Sequence, residues 1–166
     1  NWTLDAPIPW SDPTVGRAGT VHLADSIDEL TMPAARLNTG RLPEQPFVLD
    51  HIAKPEIRDR RVSPWKEDLE ALARFPNVYC KLSGMVTEAN WTNWAVDDLK
   101  PYVARIMDIF GPERGMFGSD WPVCLLAASY GEVKAELEEA LPPLSLEEQT
   151  QVFGGNAIRF YGLNVV

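Results

Sequence analysis

The chain has 166 residues, 45% hydrophobic and 23% charged, a composition that fits one globular domain with a real core. Its 24 acidic and 15 basic residues leave a net charge of −9, which sets nucleic acid aside as a partner because phosphate binding needs a basic surface. No apolar run reaches the ~20 residues of a membrane span, and no basic-then-apolar leader opens the chain, so no membrane partner is expected. Cys80 and Cys124 lie in apolar surroundings without CxxC spacing, which predicts reduced thiols and a cytoplasmic setting.

Residues 1–40 are expected to form an irregular segment, separate from 41–166. Pro7, Pro9, Pro13, Gly16 and Gly19 interrupt any regular element there. Thr20 to Ala24 suits a short strand, and Asp28 to Arg36 a helical turn broken by Pro33. His22 stands alone and reads as a surface or satisfied residue rather than a ligand.

From Phe47 the register is clear. Phe47 to Ile52 is a short apolar run with polar residues at its end and prolines on both sides, which predicts a buried strand. Ser63 is placed to cap a helix with Pro64 in its first position, and Trp65, Leu69, Leu72 and Ala73 recur at helical spacing. Val78 to Ser83 predicts a second strand, followed by Gly84. Met85 to Trp94 reads as a loop or short helix. A long helix starts at Asp97 or Asp98, with Pro101 in its first turn. Its apolar stripe is Leu99, Val103, Ile106 and Phe110, and Gly111 stops it. Met116 to Asp120 is the third strand. Three further helices follow: Tyr130 to Leu141, one beginning at the capping box Ser145–Glu148, and Asn156 to Tyr161. The fold class is α/β, and the β-α-β-α-β order predicts parallel strands joined by right-handed crossovers.

Parallel strands put their C-terminal ends on one face, where α/β proteins carry their chemistry. Here those ends hold His51, then Lys81 with Ser83, then Asp120. Outer strands of three lie roughly 10 Å apart at the backbone, so a His and an Asp reaching inward could share a substrate or a metal ion. A carboxylate at the end of a buried strand is costly without partners or a task. The plainer reading makes each residue a cap or a loop anchor.

Four ordered motifs add to this reading. They are Asp50-His51-Ile52-Ala53-Lys54-Pro55, Cys80 to Glu88, Gly118-Ser119-Asp120-Trp121-Pro122, and Asn156 to Gly162. Together, over about Arg41 to Leu163, they resemble the C-terminal half of the amidohydrolase-related family. The nearest branch is similar to lactonase-like enzymes acting on sugar lactones and on pyrone dicarboxylate. The resemblance implies the C-terminal portion of a (β/α)8 TIM barrel and hydrolysis of a lactone or similar carboxyl ester, with a small molecule as partner. Asp120 matches the last-strand aspartate that takes a proton from water and returns it to the leaving oxygen. His51 matches the histidine that polarises the carbonyl or, in metal-using relatives, helps hold the metal. Lys54 falls where a cation meets a substrate carboxylate. Ser83 and Lys81 are placed to line the pocket, and Trp121 is either a pocket wall or a packing residue.

The chain also departs from the family pattern. The first-strand His-x-His pair has no counterpart, since the histidines are His22 and His51 alone. Three strands stand where the family has eight. The expectation is a family member without its N-terminal half, by truncation or a changed reading frame upstream of Arg41, which the adjoining genomic DNA would test. A divalent metal such as zinc is left open, with His51 and Asp120 as its candidates. A metal-independent mechanism with cationic oxyanion stabilisers fits this inventory better. Two alternatives accompany the hydrolase: an inactive half-barrel that associates with itself or a partner through exposed sheet edges, and a decarboxylase of the same superfamily.

Overall fold

The strands predicted from apolar runs form one parallel sheet in the spatial order β1-β2-β3: β1 (Phe47–Leu49), β2 (Val78–Leu82) and β3 (Gly115–Phe117). The computed structural model describes residues 40–164. The expectations placed on residues 1–39, including the short strand, the helical turn and His22, lie outside the described residues. Phe47 stands opposite Val78 and Cys80 opposite Gly115, so the strand ends fall on one side.

Helix α1 (Trp65–Ala73) connects β1 to β2, while the short α2 (Met85–Glu88) and the long α3 (Val96–Phe110) connect β2 to β3. Helices α4 (Tyr130–Ala140), α5 (Leu146–Thr150) and α6 (Asn156–Tyr161) close the chain. Side chains alternate across β2 as the pleat requires. Val78, Cys80 and Leu82 pack in the main core with Leu69 and Leu72 of α1 and the Leu99, Val103, Ile106, Phe110 stripe of α3. Tyr79 lies on the opposite face, packed on Val48, Met116 and Phe160. Cys80 and Cys124 are both buried free thiols. Among the described residues no helix is long and apolar enough to cross a membrane.

The helix signals are largely realised. Ser129 with Glu132, and Ser145 with Glu148, form reciprocal capping boxes at α4 and α5. Four sequence expectations are corrected. Ser63 does not cap α1, because Pro64 occupies the N-cap position and the helix starts at Trp65 without a side-chain cap. β1 stops at Leu49 rather than Ile52, because the backbone turns left-handed just beyond it. β3 ends at Phe117, leaving Asp120 on the loop that follows. Helix α3 begins at Val96, held by the Asp98 carboxylate accepting from the Ala95 N–H at 3.1 Å, so Pro101 lies beyond the first turn. Its ring is exposed there, and the buried stripe on the other face carries the helix past the missing N–H.

Two polar side chains, one half-buried and one buried, tie the layers. The Arg114 guanidinium donates to the carbonyls of Ala73, Phe75 and Val78 at 3.0–3.2 Å, joining the end of α1 to the start of β2. Asn156 is fully buried, and its amide donates to Pro112 O at 2.6 Å and Gly115 O at 2.7 Å. Asn156→Ala orphans both acceptors and detaches α6 from β3, with an expected loss of about 2–3 kcal/mol in urea denaturation.

Glu136 does not face water with the other glutamates of α4. One of its oxygens is buried without a hydrogen-bond partner among the described residues. Burial, then the charges of Glu132 and Glu139, push its carboxyl up to about 7. A carboxyl raised on folding stabilises the fold while protonated, and that contribution is lost as pH climbs from about 4.5 through 7. Glu136→Gln is therefore expected to raise thermal stability at pH 8, by up to about 1 kcal/mol after solvent screening, and to change little at pH 4.5. Thermal melts at the two pH values check this.

Candidate active site

The segment leaving β1 has an unusual backbone. His51, Ile52, Ala53 and Lys54 all have positive φ, between 46° and 59°. Left-handed L-residues cost about 1–2 kcal/mol each, and a β-branched residue such as Ile52 rarely tolerates the conformation. Such a turn persists only where its surroundings over-determine it, and such turns gather at functional sites. Here Ile52 and Ala53 bury their side chains completely or nearly so. Trp65 Nε1 donates to Ile52 O at 2.7 Å, and Lys54 N–H to His51 O at 2.8 Å. Asp50, also buried, meets Lys81 Nζ at 2.6 Å. The turn thus fixes where the His51 imidazole stands.

β2 supplies the next pieces. Ser83 follows the strand, is buried, and its Oγ lies 3.0 Å from His51 Nδ1. Gly84 has φ +65°, and a Cβ there would sit 2.9 Å from the His51 ring. That close approach requires glycine. Gly84→Ala should lose about 1–2 kcal/mol from the backbone alone and displace the imidazole. Urea denaturation reads the first effect, and the His51 NMR resonances read the second.

β3 brings the aspartate. Gly118 N–H donates to Leu82 O at 3.1 Å, extending the pairing past the strand. A Cβ on Gly118 would come within 3.0 Å of Ser83 Cβ, so this glycine lets the loop close on the site. Asp120 takes φ 56°, a left-handed conformation that aspartate tolerates. Its Oδ1 lies 3.7 Å from His51 Nε2, with both side chains largely buried.

The candidates divide on this geometry. His51, Ser83 and Asp120 come together. Lys81 stands beside them but is engaged by Asp50, with its ammonium 5.8 Å from the centre of the Tyr161 ring. Burial lowers the Lys81 ammonium, and Asp50 and Tyr161 outweigh it, leaving it above the usual lysine range. Lys54 is exposed at the rim. Trp121 is 65% exposed, so it is not a core packing residue.

Two acids were not singled out from the sequence. One is Asp50, whose signal was a carboxylate inside a buried apolar run. The other is Glu88 at the end of α2. Burial raises the Glu88 carboxyl, Lys54 and His51 pull it down, and Asp120 pushes it up, so all four belong to one electrostatic cluster. Burial and then Asp120 also push the Cys124 thiol up, away from nucleophilic use.

A zinc site needs three or four protein ligands. Among the described residues no group of three or more His, Cys, Asp or Glu is placed to hold a metal ion. His51 and Asp120 supply two donors, with His51 Nδ1 already turned to Ser83. The described residues by themselves do not fit the metal.

Comparison with known proteins follows the same lines. Residues 18–163 match the family model described as amidohydrolase, a match that starts upstream of Arg41. An L-fucono-1,5-lactonase of Burkholderia multivorans is 42% identical over 145 residues, covering 81% of this chain and 49% of that protein. An L-fucono-1,5-lactonase of Burkholderia ambifaria is 39% identical over 137 residues, covering 80% and 47%. An amidohydrolase of Burkholderia multivorans, solved with bound zinc, superposes with a TM-score of 0.80 at 36% identity, covering 92% of this chain and 58% of that one. A putative 2-pyrone-4,6-dicarboxylic acid hydrolase of Pseudomonas putida gives 0.67 at 20% identity, over 92% and 55%, a likeness of fold. The chain spans about half the length of the curated relatives it matches. With most of its length, residues 18–163, inside the family match, the chain belongs to the amidohydrolase family.

Proposed function

We propose that the chain forms part of a (β/α)8 barrel and serves a lactonase-type hydrolase acting on sugar lactones. The observation that carries this is the facing of His51 and Asp120 at 3.7 Å, in a chain 42% identical to an L-fucono-1,5-lactonase. Asp120 takes a proton from water as the water oxygen attacks the lactone carbonyl carbon. The negative charge that develops on the carbonyl oxygen is stabilised by the His51 N–H. The carbonyl then re-forms, the ring C–O bond breaks, and Asp120 returns the proton to the leaving alkoxide. The product is an open hydroxy acid, and Lys54 is the cation assigned to its new carboxylate. Ser83 and Lys81 complete the polar lining. A panel of 1,4- and 1,5-sugar lactones, run with and without chelator beside a full-length relative, tests the reading. Turnover of at least one lactone is expected, and none on the whole panel would overturn it.

A second reading is favoured by one feature of the surface. Trp121, Val123, Leu125 and Leu126 are all about half exposed or more on the loop just after Asp120. In this reading the chain is an inactive half-barrel that covers the loop and the sheet edges by associating with itself or a partner. Light scattering across a concentration series separates the cases. A monomer at every concentration removes self-association.

A further inference from the structure

The imidazole of His51 has two different neighbours. Ser83 Oγ lies 3.0 Å from Nδ1, and Asp120 Oδ1 lies 3.7 Å from Nε2. A serine hydroxyl can donate or accept, whereas a carboxylate only accepts. A bare Nε2 lone pair facing Asp120 would set two acceptors against each other. A proton on Nε2 turns the same contact into an attraction. The ring is also hemmed in, because the Gly84 backbone approaches its Cβ, Cγ and Nδ1 closely enough to exclude a methyl group. A half-turn of the ring would put carbon against Ser83 and forfeit the Nδ1 contact.

We propose that Ser83 is a positioning residue that donates its hydroxyl proton to His51 Nδ1 and so holds the neutral imidazole as the Nε2–H tautomer, with that N–H aimed at the reacting centre. This rests on the hydrolase reading and deepens it. It makes His51 a hydrogen-bond donor to the carbonyl oxygen rather than a lone-pair donor to a metal. A metal ligand at Nε2 would need that proton gone. Which ring nitrogen carries the proton is set by the hydrogen bond that the other ring nitrogen makes. Here the partner is a donor.

The test does not depend on turnover, so it separates from the fate of the lactonase reading. The chain has two histidines, and His22→Gln leaves a single imidazole to assign. Long-range proton–nitrogen NMR is recorded along a rising pH series until the two ring-nitrogen shifts no longer move, so the spectra themselves report the neutral ring. The expected result is a protonated, pyrrole-type Nε2 and a pyridine-type Nδ1 shifted by an accepted hydrogen bond. Ser83→Ala should move the Nδ1 resonance to the position of a pyridine nitrogen without that bond. A pyrrole-type Nδ1 in the unmutated Ser83 background would overturn the proposal without recourse to any Ser83 variant. So would an Nδ1 resonance that Ser83→Ala leaves in place.

Discussion

Asp120→Asn is expected to lower kcat/KM for lactone opening by about 10²–10⁴-fold, the usual worth of a positioned general acid–base group. Asparagine keeps the volume of the side chain and a carbonyl oxygen, so it can still lie near His51 Nε2. It cannot accept a proton from water at neutral pH. The loss should therefore fall on kcat, with KM within a few fold, because the missing interaction belongs to the transition state. Steady-state kinetics by pH-stat on the best lactone of the panel reads this directly. Unchanged kcat in a folded variant would remove Asp120 from the chemistry.

Lys81→Met carries the largest expected effect on stability. Asp50 is 4% exposed and meets the Lys81 ammonium at 2.6 Å. Removing one partner of a buried ion pair costs about 3–5 kcal/mol. The pair also sits at the start of the left-handed turn, so its loss loosens the support of His51. Replacing both partners, with Asp50→Asn added to Lys81→Met, should cost less than Lys81→Met alone, since position 50 then carries no buried charge. The pH dependence has a definite sign. An ammonium raised on folding stabilises fully below its unfolded value of about 10.4 and loses that contribution as pH climbs beyond it through the folded value. Urea denaturation at pH 7 should show the large loss, and the gap between Lys81→Met and the unmutated chain should narrow above pH ~11. A loss under about 1 kcal/mol at pH 7 would show the pair to be an ordinary surface contact.

The sheet was legible in the sequence because each strand is a short apolar run bounded by Pro or Gly, and the helices between them carry clear stripes and stops. Ser145 and Glu148 illustrate how local the helix signals are. The site was legible only in outline. Strand-end logic put His51, Ser83 and Asp120 on one side, and the structure brings them into contact. It could not show that Ile52 and Ala53, both apolar and suited to a strand, instead bury themselves in a left-handed turn. That choice is made by Trp65 and Lys81, which lie 13 and more residues away. Pro101 misled for a related reason: its own position suggests a first turn, while the burial of Leu99 and Val103 sets the helix register. Glu88 was hidden inside a motif, because only the closing of α2 onto the rim places its carboxyl near Asp120 and Lys54.

A double-mutant cycle between His51 and Asp120 probes the shared rim most directly, with kcat/KM on a sugar lactone as the readout for His51→Gln, Asp120→Asn and the combination. Groups acting on the same carbonyl and the same water should be strongly non-additive, so the double variant is expected to be little worse than the more damaged single one. Losses that simply multiply would mean that the two side chains do not work on one substrate.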